Sequence, residues 1–105
     1  MSNTNTLALT ETAYYILLSL LKPSHGYAIM QNVKRLTAGR INMGAGTLYG
    51  ALSTMKEKGF IAECPCGDPS RREYIITPEG KLLLEKEISR LRELLANGEA
   101  ILKGV

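Results

Sequence analysis

The spacing of apolar residues changes twice along this chain, and these changes limit the fold more than any other feature. As far as Gly59, apolar residues recur every three or four positions, which is typical of helices packed along one side. Residues 60–64 and 72–76 have the composition and length of strands, and turn-forming residues separate them. The helical spacing returns after Thr77. The order of three helices, two strands and one helix predicts a mainly α fold with a small β-hairpin.

Three helices are predicted before the hairpin. The first begins after the N-cap Thr10, the second begins after Ser24, and the third covers residues 46–58. Gly39 is expected to end the second helix in the left-handed conformation, and Gly59 ends the third. The positions expected in the core are, in chain order, Ala13, Ile16, Leu17, Leu20, Leu21, Tyr27, Met30, Val33, Leu36, Leu48, Leu52 and Met55.

The third predicted helix has a polar face that differs from an ordinary solvated one. Opposite its core stripe it offers hydroxyl groups, one aromatic ring and one cation, on Thr47, Tyr49, Ser53, Thr54 and Lys56. Gly50 and Ala51 keep part of the same surface low. Phosphate oxygens accept hydrogen bonds from such donors, and small residues allow a nucleic acid to approach closely. An ordinary exposed face is the alternative that this helix alone leaves open.

Charge is distributed unevenly along the sequence. The net charge is +3, but residues 22–60 carry six cations and one anion, so this segment is +5 and the remainder is −2. A basic block around the third helix suggests a polyanionic partner. With 105 residues, 45% of them hydrophobic, the chain is expected to form one small globular domain. It has no apolar run of about 20 residues and no signal-peptide pattern at its start, so we expect a cytoplasmic protein without a membrane span.

The sequence predicts neither an enzyme nor a metal or cofactor protein. His25 is the only histidine, and no paired carboxylates, nucleophile partner or phosphate-binding loop accompany it. Its expected role is a structural hydrogen bond near the start of the second helix. Cys64 and Cys66 fall short of the four ligands that zinc needs, and a disulfide between them would be strained. Free thiols are the default in a reducing cytoplasm, while a redox or metal role across a dimer stays open.

The last predicted helix, from Thr77 to about residue 103, has more apolar surface than one small domain can cover. Thr77 can cap it, and Pro78 is tolerated at its first position. Five apolar residues follow a 4-3-4-7 spacing that is typical of a coiled-coil seam: Leu84, Ile88, Leu91, Leu95 and Leu102. Because such a surface needs a second surface to cover it, these residues are the predicted dimer interface.

Four short strings identify a known family. They are His25-Gly26-Tyr27, Gly46-Thr47-Leu48-Tyr49, Arg71-Arg72-Glu73-Tyr74 and Thr77-Pro78-Glu79-Gly80. In this order and spacing they resemble the PadR-like family of bacterial transcriptional regulators, over roughly residues 8–103. The single C-terminal helix resembles the short type of this family. The resemblance implies a winged helix-turn-helix with a DNA-binding domain at 1–76 and a dimerisation helix at 77–105, together forming one compact unit.

The resemblance also implies a function. Members form homodimers through the last and first helices, and the third helix enters the major groove of a palindromic operator in double-stranded DNA. Most are repressors, and some are released by small aromatic compounds. The candidate DNA-binding residues are Thr47, Tyr49, Ser53, Lys56, Arg71 and Arg72. Tyr14 and Tyr15 of the first helix are the candidates for lining an effector pocket, with interface packing as their alternative.

Several assignments stay open at this level. Tyr49 contacts DNA or packs on a neighbouring loop, and Thr47 contacts DNA or caps its helix. One of Arg71 and Arg72 faces solvent or a DNA phosphate, while the other pairs with an acidic residue of the hairpin, Glu63 or Asp68. The wing also departs from the family pattern, because Cys64-Pro65-Cys66 is no family signature and Glu73 stands where a cation is common. The alternative function is a winged helix that binds proteins and not DNA.

Overall fold

The computed structural model of the protein describes residues 9–64 and 71–104. Four helices and three short strands follow one another in the order α1 (Glu11–Ser19), β1 (Ser24–His25), α2 (Gly26–Leu36), α3 (Ala45–Glu57), β2 (Ile61–Cys64), β3 (Glu73–Ile76) and α4 (Pro78–Lys103). The predicted winged helix-turn-helix is confirmed, with β1 as an additional element. The wing is the hairpin formed by β2 and β3.

Helix α1 begins where its sequence predicts and ends early. The Thr10 hydroxyl accepts a hydrogen bond from the Ala13 amide at 3.1 Å, and Ile16, Leu17 and Leu20 are buried. Leu21 was expected in the core and is exposed, so this prediction is wrong. The helix ends at Ser19 and Leu20 is its C-cap. Leu21 therefore lies outside the helix, where the helical spacing no longer determines its direction.

Helix α2 is rotated relative to the predicted orientation. His25 is its N-cap, and its Nδ1 accepts a hydrogen bond from the Ala28 amide at 3.4 Å, which confirms the structural role predicted for this histidine. The buried positions are Gly26, Ile29 and Val33. Tyr27 was predicted to be in the core but is 65% exposed, and Leu36 is also exposed, so both predictions are wrong. Because Gly26 takes the buried position of the first turn, the neighbouring Tyr27 is turned towards solvent.

Helix α3 presents the predicted stripe to the core. Leu48, Leu52 and Met55 are buried. The helix ends at Glu57, and Gly59 follows with a φ of 84°, a left-handed conformation that favours glycine. The chain then enters β2, and the Phe60 amide donates to the Met55 carbonyl at 2.9 Å. This tight exit fixes the direction of the wing relative to α3.

The three strands form one antiparallel sheet in the order β1-β3-β2. In the predicted hairpin, Ile61 pairs with Ile76 and Glu63 pairs with Tyr74. On the other side of β3, Ser24 pairs with Tyr74. Strand β1 has only two residues, which are too few for the alternation that identifies strands in a sequence. It attaches the start of α2 to the wing.

The first half of α4 packs on the domain and the second half projects from it. The Thr77 hydroxyl accepts from the Gly80 amide at 3.0 Å and donates to the Gly59 carbonyl at 2.6 Å. Leu84 joins the core cluster. Glu87 is buried and accepts from the Arg90 guanidinium at 2.7 and 3.0 Å, which lowers the pKa of this carboxyl. Beyond this pair, all residues from 91 to 104 are exposed.

Gly80 allows α4 to lie directly on the backbone of the preceding segment. A Cβ atom at this position would overlap with the Phe60 carbonyl oxygen and would lie 2.8 Å from Ile76 Cγ1. We expect Gly80→Ala to lower the free energy of unfolding by about 1–3 kcal/mol or more, because a backbone group must move to admit the methyl group. Chemical denaturation at fixed protein concentration measures this effect.

Gly50→Ala is the matched control, since Gly50 also lies inside a helix and a Cβ atom there meets no other atom within 4 Å. Removing glycine from a helix interior should stabilise the protein by roughly 0.5–1 kcal/mol. Equal effects of the two substitutions would contradict the packing described for Gly80.

Candidate nucleic-acid interface

A groove between α3 and the wing collects most of the candidate DNA-binding residues. Tyr49, Ser53 and Lys56 are spaced four and three residues apart, so they share one side of α3. We call their common depression the helix–wing groove; its volume is about 180 Å³ and it is lined by Tyr49, Leu52, Ser53, Lys56, Glu63, Arg72 and Tyr74. Donors from the helix and from the wing therefore converge on one surface.

A second depression adjoins this groove. We call it the arginine pocket; its volume is about 420 Å³ and it is lined by His25, Gly26, Tyr27, Tyr49, Arg71 and Arg72. Tyr49 and Arg72 line both depressions, so the two form a continuous polar surface. The structure thus brings five of the six candidate residues together. Thr47 is exposed on the first turn of α3 and lines neither depression.

Tyr49 packs against its own chain and is also partly exposed. Its ring leans on the start of α2, where a Cβ atom on Gly26 would lie 2.8 Å from Tyr49 Cζ and would overlap with the hydroxyl oxygen. The residue is nevertheless 47% exposed. Packing thus positions the phenol while part of it stays accessible. The alternative role of Thr47 is excluded, because Gly44 is the N-cap of α3 and no side chain caps that helix.

One carboxylate joins the cations of the helix and the wing. Glu63 Oε2 lies 3.6 Å from Lys56 Nζ and 3.5 Å from Arg72 Nη1. The predicted pairing of one wing arginine with Glu63 is thus confirmed for Arg72. The other arginine, Arg71, is exposed and borders the arginine pocket.

Comparison with known proteins decides the family. The family model described as the PadR-like family of transcriptional regulators matches residues 16–86, about two thirds of the chain. The chain belongs to the PadR-like family. No curated protein matches the sequence.

Solved structures agree with this assignment. A transcriptional regulator from Clostridium thermocellum shares 26% identity and a TM-score of 0.66, with 90% of this chain and 92% of that chain covered. A PadR family transcriptional regulator from Eggerthella lenta shares 28% identity and a TM-score of 0.65, with coverage of 86% and 79%. A PadR-like transcription factor from Bacteroides fragilis shares 26% identity and a TM-score of 0.70, with coverage of 85% and 87%. The chain is thus similar to PadR-like regulators over nearly its whole length.

Two side chains of this PadR-like surface were not predicted from the sequence. His25 had been assigned only to the helix start and Tyr27 to the core, yet both line the arginine pocket. The short strand β1 carries them there by pairing with β3, and two residues give no periodic signal. Gly26, which lies between them, was the only indication in the sequence. A glycine at a helix start can mark a place where another side chain packs closely on the backbone.

The basic segment at residues 22–60 does not act as one block. Lys56 lines the helix–wing groove, whereas Arg40 forms a two-bonded ion pair with Glu11 at the start of α1. The hydrogen bonds from Arg40 lower the pKa of the Glu11 carboxyl. Arg35 donates to the Asn32 side chain at 2.6 Å. Part of the positive charge in this segment thus serves contacts within the chain.

An apolar cavity lies away from the predicted tyrosines. We call it the α1–α3 cavity; its volume is about 400 Å³ and its lining is Leu9, Thr10, Ala13, Leu17, Gly50, Ala51, Thr54, Met55, Lys58 and Phe60. Tyr14 and Tyr15 do not line it. Their rings contact each other edge to face, with centroids 5.5 Å apart, and both are partly buried.

Two other properties concern the described residues only. No group of three or more His, Cys, Asp or Glu side chains among them could hold a metal ion. No helix in the described ranges is long and apolar enough to cross a membrane. Cys64 is partly buried in β2, and Cys66 lies outside the described residues, so a redox or metal role of the two thiols stays an open hypothesis.

The contact between Gly26 and Tyr49 can be measured as an energetic coupling. Gly26→Ala should destabilise the protein by about 1 kcal/mol in the wild-type background, because the new methyl group must displace the phenol. In a Tyr49→Ala background the same substitution should cost clearly less. Thermal or chemical denaturation of the four proteins gives the coupling. Additive effects would contradict the packing of Tyr49 on Gly26.

Proposed function

We propose that this PadR-like protein is a dimeric, sequence-specific repressor of a palindromic operator, and that a small molecule releases it from DNA. The observation that carries the proposal is the continuous surface of the helix–wing groove and the arginine pocket. Hydroxyl groups of Tyr49 and Ser53 lie there beside the cations Lys56, Arg71 and Arg72. These are the donor types that contact DNA phosphates, while side chains of a helix in the major groove reach base edges.

The glycines of α3 support the same surface. Gly46 and Gly50 are exposed, and a Cβ atom on either would meet no atom within 4 Å. Neither has a positive φ. Glycine costs a helix interior about 1 kcal/mol relative to alanine, and no close contact with the described residues requires it at position 50. A partner that approaches the helix backbone closely would explain it, and DNA is such a partner.

The function is tested first on DNA upstream of the protein's own gene. We expect a footprint with two half-sites about 10 bp apart, and affinity that falls steeply as the salt concentration rises. Binding with no preference over random duplex and no salt dependence would overturn the proposal. A winged helix that binds only proteins would bind neither duplex and give no footprint, which overturns the proposal equally.

Gly50→Ala distinguishes an effect on DNA affinity from an effect on the stability of the fold. The variant should be more stable by about 0.5–1 kcal/mol and yet bind the protected fragment at least several-fold more weakly, because a methyl group raises the helix surface. Ser89→Ala, at an exposed position of α4 away from the predicted seam, should also stabilise its helix, by roughly 0.5 kcal/mol, without a change in affinity. Unchanged or tighter binding by Gly50→Ala would contradict a close approach of DNA at this position. Denaturation and fluorescence anisotropy provide the two measurements.

The dimeric part of the proposal rests on the projecting half of α4. Of the five predicted interface residues, Leu84 is buried in the core of its own chain and Ile88 is partly buried against that core. Leu91, Leu95 and Leu102 are 39%, 61% and 78% exposed, and three further apolar residues of the helix are exposed: Leu82, Leu94 and Ile101. Exposed apolar area of this kind on one helix is typical of an interface. A second copy of α4 would cover it.

Leu95→Glu should disrupt this dimer. A charge placed in the seam leaves the chain as a monomer of 11.5 kDa, where the wild type has twice that mass. Ser89→Glu adds the same charge at an exposed polar position of the same helix and should leave the dimer intact. Analytical ultracentrifugation measures both. A dimeric Leu95→Glu variant would show that the subunits meet elsewhere.

Effector release is supported by the α1–α3 cavity rather than by the predicted tyrosines. A ligand in this cavity would contact Leu9 and Leu17 on one side and Ala51 and Met55 of α3 on the other. A compound that binds between these helices would bias the position of α3, which the proposal places in the DNA groove.

A further inference from the structure

We propose that Glu63 is an internal competitor for DNA phosphate and that it lowers the affinity of the protein for duplex DNA of any sequence. In the free protein its carboxylate forms ion pairs with two cations of the proposed DNA surface, Lys56 and Arg72. DNA has to replace this carboxylate in order to use them. The inference rests on the DNA-binding function proposed above.

The placement of Glu63 is unusual for a strand of this sheet. Ile61 and Glu63 share one face of β2, because strand side chains alternate. Ile61 is buried, and Glu63 lies opposite the buried Tyr74 of β3. The pattern of this face thus favours an apolar residue at position 63. The sequence has a carboxylate there instead, and it points towards the polar side of α3.

The ion pairs of Glu63 are positioned to be exchanged. The same oxygen, Oε2, lies 3.6 Å from Lys56 Nζ and 3.5 Å from Arg72 Nη1. All three side chains are partly exposed to solvent, and exposed ion pairs are weak. A phosphate oxygen can therefore take the place of the carboxylate at little cost. The carboxylate itself cannot leave the groove, because β2 holds its backbone beside α3.

The charge of Glu63 acts against every DNA sequence alike. A phosphate that contacts Lys56 or Arg72 must lie close to this carboxylate, and like charges repel. Non-specific binding depends almost entirely on phosphate contacts, whereas specific binding adds contacts to base edges. Both modes use the phosphate contacts of Lys56 and Arg72, so Glu63 lowers both affinities by a similar factor. Its effect is to weaken the binding of any duplex, while base contacts determine the sequence preference.

The test compares Glu63→Gln with Glu85→Gln, the same charge change at an exposed position of α4 that takes part in no described ion pair. The probe is a 30-bp duplex of random sequence. We expect Glu63→Gln to bind it about fivefold more tightly at moderate salt and to steepen the salt dependence of log K by about one unit. Glu85→Gln should change affinity less than about twofold, because Glu85 does not line the groove. On the footprinted fragment Glu63→Gln should bind more tightly by a similar factor.

A second background shows whether the effect passes through the two cations. When Lys56→Gln and Arg72→Gln are both present, Glu63→Gln should change affinity no more than Glu85→Gln does. Melting curves establish that all variants are folded, and the glutamine is isosteric with the residue it replaces.

The outcomes separate the two proposals. Weaker binding by Glu63→Gln would mean that Glu63 positions the cations for DNA, and unchanged binding would mean that it does not compete; either overturns the inference while the repressor proposal stands. Absence of salt-dependent binding by the wild type overturns the proposed function, and the inference with it.

Discussion

Backbone pairing of the central strand β3 is the interaction on which the proposed DNA surface depends. One edge of β3 pairs with β2 to form the wing, and the other edge pairs with β1 at the start of α2. At its end the Ile76 amide donates to the Leu20 carbonyl at 2.8 Å, which ties the strand to the end of α1. Tyr74 and Ile76 at the same time enter the core. One four-residue strand thus fixes the wing, both helix ends and the arginines that precede it in relation to one another.

The architecture could be predicted from the sequence because its main determinants are local. Apolar spacing, the caps Thr10 and Thr77 and the glycine after α3 each act within a few residues, and the structure confirms them. The orientation of α2 could not be predicted in this way. Tyr27 fits an apolar stripe as well as Ile29 does, and the choice depends on the close contact of Gly26 with Tyr49, a residue more than twenty positions away.

The candidate site could be predicted only in part for the same reason. The polar stripe of α3 follows from the helical spacing, so Tyr49, Ser53 and Lys56 could be predicted to share one side of the helix. The contribution of His25 and Tyr27 requires the two-residue strand β1, and the shared carboxylate of Glu63 requires the register of the hairpin. The net charge of residues 22–60 also overstated the positive charge available to a partner, because Arg40 of this segment forms an ion pair with Glu11 of the same chain. Pairwise contacts between distant segments, rather than composition, determine which cations face outward.

The joint at Thr77 and Gly80 has a mechanical consequence. It binds the start of α4 to the exit of α3 through Gly59 and the Phe60 carbonyl, so the two helices are fixed together at one point. The 26-residue helix α4 is about 39 Å long and acts as a lever about that point. A rotation of about 5° at the joint moves the far end by roughly 3 Å. In a dimer that holds the far ends of α4, the same rotation would move α3 instead. The spacing between the two copies of α3 would then no longer match the fixed helical period of DNA.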